Sequence, residues 1–260
     1  MHTRETNRTL LSSDSDQHGE EIKPNAAYLC PELQDPNPTS RHSVQALKAK
    51  RKISDTILAS PSTFIQEYNS GTRLMNQGEH ISNVYLILEG MAKLSCSGSA
   101  QLEQGVVSIK PQGTLIGATA AITISCSSVT ATTIMRSKVA TIPSSLFRDF
   151  VCTDQEFSVA LNYSHAREID DQLSYLGAMQ HRSAKKRFQY LLRILLTLNR
   201  EDKGTLRLLT PLRYYELAQL VRITPEHFSR VLASMERGGV IRRWKGWIVI
   251  QPEAIASLDG

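Results

Sequence analysis

The spacing of apolar positions changes about halfway along this 260-residue chain. Between residues 70 and 148, short runs of alternating or β-branched residues recur, with glycines between them. Alternation with a period of two predicts strands, and the glycines predict turns. Beyond residue 154 the apolar residues recur every three or four positions, which predicts helices. The pattern as a whole is that of an α+β protein, with an all-β part followed by a mainly helical part.

Six segments of the first part have the composition of short strands. They are RLMNQ (73–77), NVYLILEG (83–90), MAKLSC (91–96), VVSIK (106–110), SVTATTIM (128–135) and KVATIP (138–143). Short strands in close succession, separated by turns, are typical of a jelly-roll or β-roll. An unrelated β-sandwich would give the same local pattern and is the alternative.

Composition and periodicity predict the remaining boundaries. Residues 1–45 are rich in Ser, Asp, Asn and Pro, which predicts a disordered tail. A β-roll domain is expected over residues 46–153, one long helix over residues 154–181, and a second domain over residues 182–260. A chain of this length can form two domains that each bury a core.

The predicted long helix carries a seam of positions that step by four and three. The seam consists of Asn162, Ala166, Ile169, Leu173 and Leu176. Such a stripe predicts a seam with a second helix, in which a polar residue such as Asn162 sometimes sets the register. The alternative is a helix that packs this stripe on its own β-domain.

Two short helices joined by a tight turn are predicted in YELAQLVRITPEHFSRVLASME (215–236). Thr224 suits the N-cap of the second helix, and Pro225 suits its first position. Three polar side chains then share the outward face of that helix: Glu226, Ser229 and Arg230. Arginine can bond guanine bidentately and glutamate can accept from cytosine N4, so a helix-turn-helix that reads the DNA major groove is predicted. The alternative is a helical hairpin with a solvated charged face.

The residues after this pair favour the helix-turn-helix. Gly238 and Gly239 predict the end of the second helix. The segment VIRRWKGWIVI (240–250) predicts a two-stranded hairpin that turns near Lys245 and Gly246. A hairpin in this place is the wing of a winged helix, whose basic residues contact phosphates. Further DNA contacts are expected from Thr224, Pro225, His227, Arg237, Arg242, Arg243 and Lys245.

Basic charge is concentrated in the second domain. Residues 182–260 hold 15 Lys and Arg against 7 Asp and Glu, whereas residues 1–181 hold 15 against 18. Positive charge gathered in one domain favours binding to a polyanion such as double-stranded DNA. No stretch is long and apolar enough to span a membrane and no signal peptide is evident, so a cytoplasmic protein is predicted.

These motifs carry a resemblance to the Crp/Fnr superfamily of bacterial transcription regulators. The E-x-x-S-R spacing of Glu226, Ser229 and Arg230 resembles the recognition helix of its Fnr and FixK branch. The resemblance implies that Arg230 reads guanine, that Glu226 reads the complementary cytosine or a neighbouring base, and that Ser229 packs near a thymine. It also implies a homodimer joined by a parallel coiled coil, an inverted repeat of TTGA-like half-sites, and RNA polymerase as a further partner.

The β-domain is similar to the cyclic-nucleotide-binding domain of that superfamily. Gly78, Gly90 and Gly113 lie where the family has turn glycines. In relatives that bind cyclic nucleotide, a phosphate-binding cassette supplies Gly-Glu and, about ten residues later, an arginine followed by Ser or Thr.

The corresponding segment of this chain, QGTLIGATAAITISCSSVTATT (112–133), is called the cassette below, and it departs from that pattern. Ala118 stands in place of the glutamate, and Ser127 or Ser128 stands in place of the arginine. A buried phosphate without a partner cation is unfavourable, which argues against cyclic AMP or cyclic GMP as effector. The candidate effector pocket is therefore a degenerate cassette of small neutral residues, which include Gly113, Gly117, Ala118, Ser127 and Ser128.

The four cysteines form no zinc pattern and no disulfide framework. Cys30 is alone before residue 96, which argues against the iron–sulfur cluster of the Fnr branch. Cys96, Cys126 and Cys152 are expected to be buried, as free cysteines usually are. No cofactor is predicted, although haem, with His80 or His165 among its candidate ligands, and redox chemistry at the later cysteines stay open.

Two alternative functions remain at this point. One is a receptor of the same fold that is gated by a cyclic nucleotide, haem or a redox signal. The other is an enzyme with an appended binding domain, but the sequence shows no P-loop, no H-E-x-x-H and no Rossmann glycine set. The sequence therefore predicts a DNA-binding regulator without catalytic activity.

Overall fold

The computed structural model describes residues 41–97, 105–198, 207–208, 212–244 and 247–250. A β-domain and a smaller, mainly helical domain are joined by one long helix, as the sequence predicts. None of the described helices combines the length and the hydropathy needed to cross a lipid bilayer.

Eight strands form the first domain, in two antiparallel four-stranded sheets. The strands are β1 (Phe64–Tyr68), β2 (Arg73–Met75), β3 (Asn83–Glu89), β4 (Met91–Cys96), β5 (Gly105–Pro111), β6 (Leu115–Ile116), β7 (Thr130–Thr133) and β8 (Ser137–Pro143). The strand order is β1-β8-β3-β6 in one sheet and β2-β7-β4-β5 in the other. The predicted β-roll and its six predicted strands are confirmed. The pattern missed β6, which is only two residues long, and β1, an edge strand whose side chains are mostly exposed.

Strand β3 shows how the β-roll acquires two buried layers. Its side chains alternate, so Val84 and Leu86 face one side of the sheet and Ile87 faces the other. Val84 and Leu86 pack in a cluster whose helical members include Ile57 and Phe157. Ile87 packs in a second cluster drawn from both sheets. One sheet is therefore covered by helices on its outer face and by the other sheet on its inner face.

Gly90 joins β3 to β4 without any further loop residue. Its φ is 89°, in the left-handed region that favours glycine. A Cβ at this position would lie 2.4 Å from Oγ of Ser137 and 2.7 Å from the carbonyl oxygen of Arg136. The chain can reverse here only because residue 90 lacks a side chain. Gly78 and Gly113, the other predicted turn glycines, also have positive φ.

Four helices belong to the β-domain and its exit. They are α1 (Arg41–Ala59), α2 (Ala118–Thr123), α3 (Ser144–Thr153) and the long helix α4 (Gln155–Met179). Helix α2 lies inside the cassette and was not predicted.

The boundary of the predicted tail needs correction. Helix α1 begins at Arg41, five residues inside the segment 1–45, and residues 1–40 lie outside the described part of the chain. Ala49, Ile53 and Ile57 recur every four residues and are buried in the helix-covered cluster of the β-domain. This spacing is the helical signal that marks α1 as part of the domain.

The long helix agrees with the prediction to within two residues at each end. Its N-cap is Asp154, whose Oδ1 accepts a hydrogen bond from the Phe157 backbone N–H at 2.9 Å. That N–H and the Lys52 ammonium of α1, 3.0 Å from Asp154, hold the pKa of the Asp154 carboxyl below its ordinary value. The first turns of α4 are buried on the β-roll through Phe157, Ala160 and Leu161, and farther along the helix Glu168 pairs with the buried Lys110 of β5.

The described residues of the second domain form three helices and a small sheet. They are α5 (Ala184–Leu198), α6 (Tyr214–Leu220), α7 (Pro225–Arg237), β9 (Arg207–Leu208), β10 (Ile241–Trp244) and β11 (Trp247–Ile250), with strand order β10-β11-β9. The rings of Phe188 and Phe228 meet edge to face in its core, with centroids 4.9 Å apart. The predicted hairpin is confirmed, because Trp244 pairs with Trp247 across a two-residue connection. Lys245 lies in that connection, outside the described residues.

Candidate nucleic-acid interface

Helices α6 and α7 are joined by a turn of four residues, 221–224. Arg222 has a φ of 56°, an uncommon value for a residue other than glycine, and it reverses the chain between the helices. Thr224 is the N-cap of α7, and its hydroxyl accepts from the His227 backbone N–H at 3.3 Å. Pro225 occupies the first helical position. The predicted helix pair and its capping residues are therefore present.

Helix α7 has one apolar face and one polar face. The apolar face is buried and consists of Phe228, Val231, Leu232 and Met235. Glu226, Ser229 and Arg230 are all exposed. Because residues three and four apart lie on the same side of a helix, these three side chains share one surface. His227 and Arg237 are exposed as well, and the Arg237 Nε donates to the Ala233 carbonyl of the same helix at 3.3 Å.

The charge on this surface is fixed by local hydrogen bonds. The pKa of the Glu226 carboxyl lies below its ordinary value, chiefly because its own backbone N–H and the Thr224 hydroxyl donate to the carboxylate, with a further contribution from the Arg230 charge. Glu226 therefore presents an ionised acceptor at neutral pH, next to the guanidinium donors of Arg230. An acceptor and a bidentate donor at this spacing match the edges of a cytosine and a guanine in the major groove.

The wing differs from the prediction at one of its basic residues. Arg242 is exposed, as expected for a phosphate contact. The Arg243 guanidinium instead donates to the Glu236 carboxylate on α7, with Nε 2.8 Å from Oε2. Arg243 is therefore paired with a carboxylate of α7 rather than presented as an unpaired cation beside Arg242. Arg243 is two residues from the buried Ile241, so strand alternation places both side chains on the face toward α7.

Helix α6 is held by the β-domain through polar contacts that the sequence did not reveal. Glu216 is 4% exposed, accepts from the Arg213 backbone N–H at 2.8 Å, and forms an ion pair with Lys93 of β4. The Val106 N–H of β5 donates to Gln219 Oε1 at 3.0 Å. An acidic residue three positions after a helix N-cap is a capping signal, so the first role of Glu216 was predictable. Its partner on β4 was not, because the pairing joins residues far apart in sequence.

The long helix contributes to the same junction. The Tyr175 hydroxyl of α4 donates to the Leu220 carbonyl at the end of α6. Burial raises the pKa of Tyr175 to about 12, so this hydroxyl remains a donor at neutral pH. Met91, Val106 and Ile134 of the β-domain belong to the apolar cluster that forms the core of the second domain. The helix-turn-helix is thus packed directly against its own β-domain.

The predicted seam of α4 lies on the surface of the single chain. Ile169, Leu173 and Leu176 are 58%, 61% and 42% exposed, and Asn162 and Ala166 are also exposed. The alternative, a stripe packed on the β-domain, is wrong, because that contact uses a different face of the helix.

The cassette folds into a strand end, a short helix and a turn. Gly117 precedes α2 with a φ of 86°, and Ala118 is 4% exposed. Gly113 forms the turn before β6, with a φ of 77°. Ser127 is buried, and its hydroxyl donates to the Val129 carbonyl at 2.6 Å.

Ser128 is exposed at the surface. Further hydroxyls of the cassette bond within the protein. The Thr114 hydroxyl donates to the Pro111 carbonyl at 2.6 Å, and that of Thr130 accepts from the Gln77 N–H at 3.1 Å. The polar groups of the cassette are therefore largely used by the fold.

Among the candidate cofactor ligands that the structure describes, only His80 and Cys126 are paired, across an isolated β-bridge. Cys96 is half-buried, whereas Cys126 and Cys152 are exposed, so the expectation of buried thiols is wrong for those two. Cys126 lies at the surface opposite His80 in an isolated β-bridge, and Cys152 lies on the outward side of the last turn of α3. His165 is half-buried on α4, where burial lowers the pKa of its imidazole. Cys30 lies outside the described residues.

Two domain families match the chain at the positions of its two domains. The Crp-like helix-turn-helix domain matches residues 189–258, and the cyclic nucleotide-binding domain matches residues 65–154. No curated protein matches the chain by sequence.

Several solved structures share the architecture. FixK2 from Bradyrhizobium japonicum is 15% identical over 76% of this chain and 98% of its own, with a TM-score of 0.61. A Crp/Fnr-family transcriptional regulator from Thermus thermophilus is 17% identical over 75% and 98%, with a TM-score of 0.63. The c-di-GMP responsive global regulator CLP from Xanthomonas campestris is 17% identical over 77% and 98%, with a TM-score of 0.59. At these identities the likeness is one of fold.

Proposed function

Because the chain belongs to the Crp/Fnr superfamily of transcription regulators, we propose that it binds an inverted repeat of TTGA-like half-sites in double-stranded DNA as a homodimer. The observation that carries this proposal is the exposed face of α7. It presents Glu226, Ser229 and Arg230 at the spacing of an Fnr-like recognition helix.

Each of the three side chains has a distinct role. Arg230 donates to O6 and N7 of the half-site guanine, because its planar guanidinium offers two parallel donors. Glu226 accepts from the amino group of the paired cytosine or of a neighbouring base. Ser229 packs near a thymine. The Thr224 cap and the buried apolar face of α7 hold these side chains at a fixed height above the groove.

An exposed apolar stripe on α4 supports dimerisation, and a dimer in turn favours an inverted repeat over a single half-site. Ile169, Leu173 and Leu176 form an exposed apolar stripe on α4, which a second copy of the helix would bury in a parallel coiled coil. A two-fold axis along that coiled coil relates the two α7 helices. Two half-sites whose centres are about 34 Å apart, one turn of DNA, then face the two recognition helices.

The proposed effector is not cyclic AMP. Ala118, which is buried, stands where a nucleotide-binding relative has a ribose-binding glutamate. Ser127, which is buried, or Ser128, which is exposed, stands where that relative has a phosphate-binding arginine. The sequence between Lys110 and Arg136 contains no charged residue. A cyclic phosphate in this cassette would lose its hydration without gaining an ion pair, which is unfavourable.

A titration of the purified full-length protein tests the proposal. The probes are a labelled duplex with the TTGA inverted repeat, the same duplex with both half-sites scrambled, and a duplex that keeps one half-site. We expect binding to the repeat at least about a thousandfold tighter than to the scrambled duplex, the usual margin of specific binding. Added cyclic AMP is expected to leave the affinity unchanged.

The outcomes separate the parts of the proposal. Equal affinity for repeat and scrambled duplexes would refute sequence-specific recognition. Equal affinity for the repeat and the single half-site would refute dimeric binding. If DNA binding required cyclic AMP, the proposal that the cassette does not bind this nucleotide would be refuted, whereas the proposed DNA target would stand.

A further inference from the structure

The wing carries two adjacent arginines whose surroundings differ. Arg242 pairs with Val249 and Arg243 pairs with Ile248 across the β10–β11 hairpin. Ile248 is 3% exposed. Because cross-strand partners lie on the same face of a sheet, Arg243 lies on the core-facing side and Arg242 on the outer side.

Arg243 meets α7 through two hydrogen bonds and a further ion-pair contact to one carboxylate. Its backbone N–H donates to Oε1 of Glu236 at 3.0 Å, and its Nε and Nη2 lie 2.8 and 2.6 Å from Oε2. This arrangement uses both oxygens of Glu236 and fixes the backbone of the wing as well as the side chain. The pair raises the pKa of Arg243 and lowers that of Glu236, so both groups stay charged at neutral pH.

We propose that Glu236 and Arg243 form a clamp that sets the angle of the wing against the recognition helix, and that Arg242 supplies the phosphate contact of the described wing. Arg243 is thus a positioning residue rather than a DNA contact. This inference rests on the proposed DNA-binding function and adds which wing cation meets the DNA. It also gives Glu236, which the sequence did not single out, a role in binding.

The two arginines differ in the charge that they can offer to DNA. A guanidinium already bonded to a carboxylate brings little net positive charge to a phosphate, so it releases few counterions when DNA binds. Both arginines are exposed, but Arg242 lies on the outer face of the hairpin and Arg243 is bonded to Glu236, so Arg242 is the one that can neutralise a phosphate. Each neutralised phosphate contributes about 0.9 to the slope of log affinity against log salt concentration.

The slope of affinity against salt tests the clamp. Full-length Arg242→Gln, Arg243→Gln and Glu236→Gln proteins are titrated on the TTGA inverted repeat at four salt concentrations, with thermal melting to verify folding. Arg242→Gln should make the slope shallower by about 0.9. Arg243→Gln should leave the slope unchanged while weakening binding by at most about fivefold, the upper end for an exposed ion pair. Glu236→Gln frees the Arg243 guanidinium, and the slope should become steeper.

Arg243→Lys adds a control that retains the charge. Lysine cannot place two donors on Oε2 of Glu236 as the planar guanidinium does, so the Arg243→Lys protein should bind DNA with the same affinity as the Arg243→Gln protein. If Arg243→Gln makes the slope shallower as Arg242→Gln does, then Arg243 contacts phosphate and the clamp is refuted. An unchanged slope in Arg242→Gln also refutes the proposal. Failure of the wild-type protein to prefer the repeat would instead refute the proposed function itself, since that result does not depend on the slopes.

Discussion

The recognition face and the cassette are both rich in small or polar residues, but they use their polar groups in opposite ways. On α7, Glu226, Ser229 and Arg230 point into solvent, and Glu226 is held ionised. In the cassette, the Ser127 and Thr114 hydroxyls donate to backbone carbonyls of their own loop. The first surface has donors and acceptors to offer a partner, whereas the second uses most of its own within the fold.

This difference explains why the DNA target of the regulator can be inferred from its structure more readily than its effector. A surface that presents charge at helical spacing can be matched to base edges, so its partner can be inferred from chemistry. A neutral loop whose hydroxyls are already bonded specifies no ligand by its chemistry. The same contrast explains why the half-site can be proposed in some detail, while the effector is described only by what does not suit it.

The largest expected effect tests whether the cassette can accept a charge. Ala118→Glu places a carboxylate at a position that is 4% exposed, in a cassette whose own residues include no cation, and the nearby Arg148 already donates to the Ala121 carbonyl at 3.3 Å. We expect a loss of about 3–5 kcal/mol in the free energy of unfolding, the cost of an uncompensated buried charge. Ser128→Arg, at an exposed position, should change stability by no more than about 0.5 kcal/mol. Urea denaturation measures both changes. If Ala118→Glu left the free energy of unfolding unchanged, the cassette would have room and polarity for a ligand.

The next effect tests whether exposure on α4 also marks a surface that awaits a partner. Leu173→Glu adds a charge to the apolar stripe, so the dimer should dissociate. Affinity for the inverted repeat should fall by at least about a hundredfold, because two half-sites no longer bind together. Gln172→Glu adds the same charge one position away from the seam and should leave the dimer intact. Sedimentation and DNA titration would contradict the seam if the Leu173→Glu protein stayed dimeric.

A smaller effect sharpens the account of the recognition face. Arg230→Ala should cost about 1–3 kcal/mol on the TTGA repeat, since a bidentate contact to guanine is lost. Binding to scrambled DNA should change little. Arg237→Ala, at the end of the same helix, is the matched control and should weaken binding to both duplexes alike. An equal loss on both duplexes for Arg230→Ala would make it a phosphate contact.

The smallest expected effect is the absence of a pH dependence. The pKa of Glu226 is lowered in the folded protein, so its carboxylate stays ionised as the pH falls from 7.5 to 5.5 and is protonated only below its ordinary range. Discrimination at the cytosine it contacts should therefore be the same at both pH values. The comparison is made in a His227→Gln background, which removes the neighbouring imidazole. Loss of discrimination by pH 5.5 would show that Glu226 is not the acceptor.

Much of the fold was predictable because it depends on local patterns. The strands of the β-roll follow from alternation, and the limits of α4 follow from its apolar steps and from Asp154 at its start. The start of helix α1 at Arg41 was not predicted, because lysines and arginines interrupt the surface of the helix, although its buried positions recur every four residues. The strand β1 was missed because an edge strand with exposed side chains carries no alternation of burial.

The candidate site was predictable in its residue types but not in its pairings. Thr224 and Pro225 are local signals, and the structure places them where the sequence does. The contact of Lys93 with Glu216 joins two domains, so no spacing along the chain reveals it. Arg243 is an intermediate case. The sequence shows that Arg243 lies on the same strand face as Ile241, but it does not show that Glu236 is the ion-pair partner of Arg243.

The packing of α6 on β4 and β5 also bears on how the protein folds. Met91, Val106 and Ile134 are part of the same apolar cluster as Phe228. Since neither domain completes this cluster alone, the two should unfold together in one cooperative transition rather than melt in succession. A fragment cut after the long helix would expose part of its core to water. We therefore expect the winged helix and the β-roll to unfold as one cooperative unit, although the β-roll also has clusters of its own.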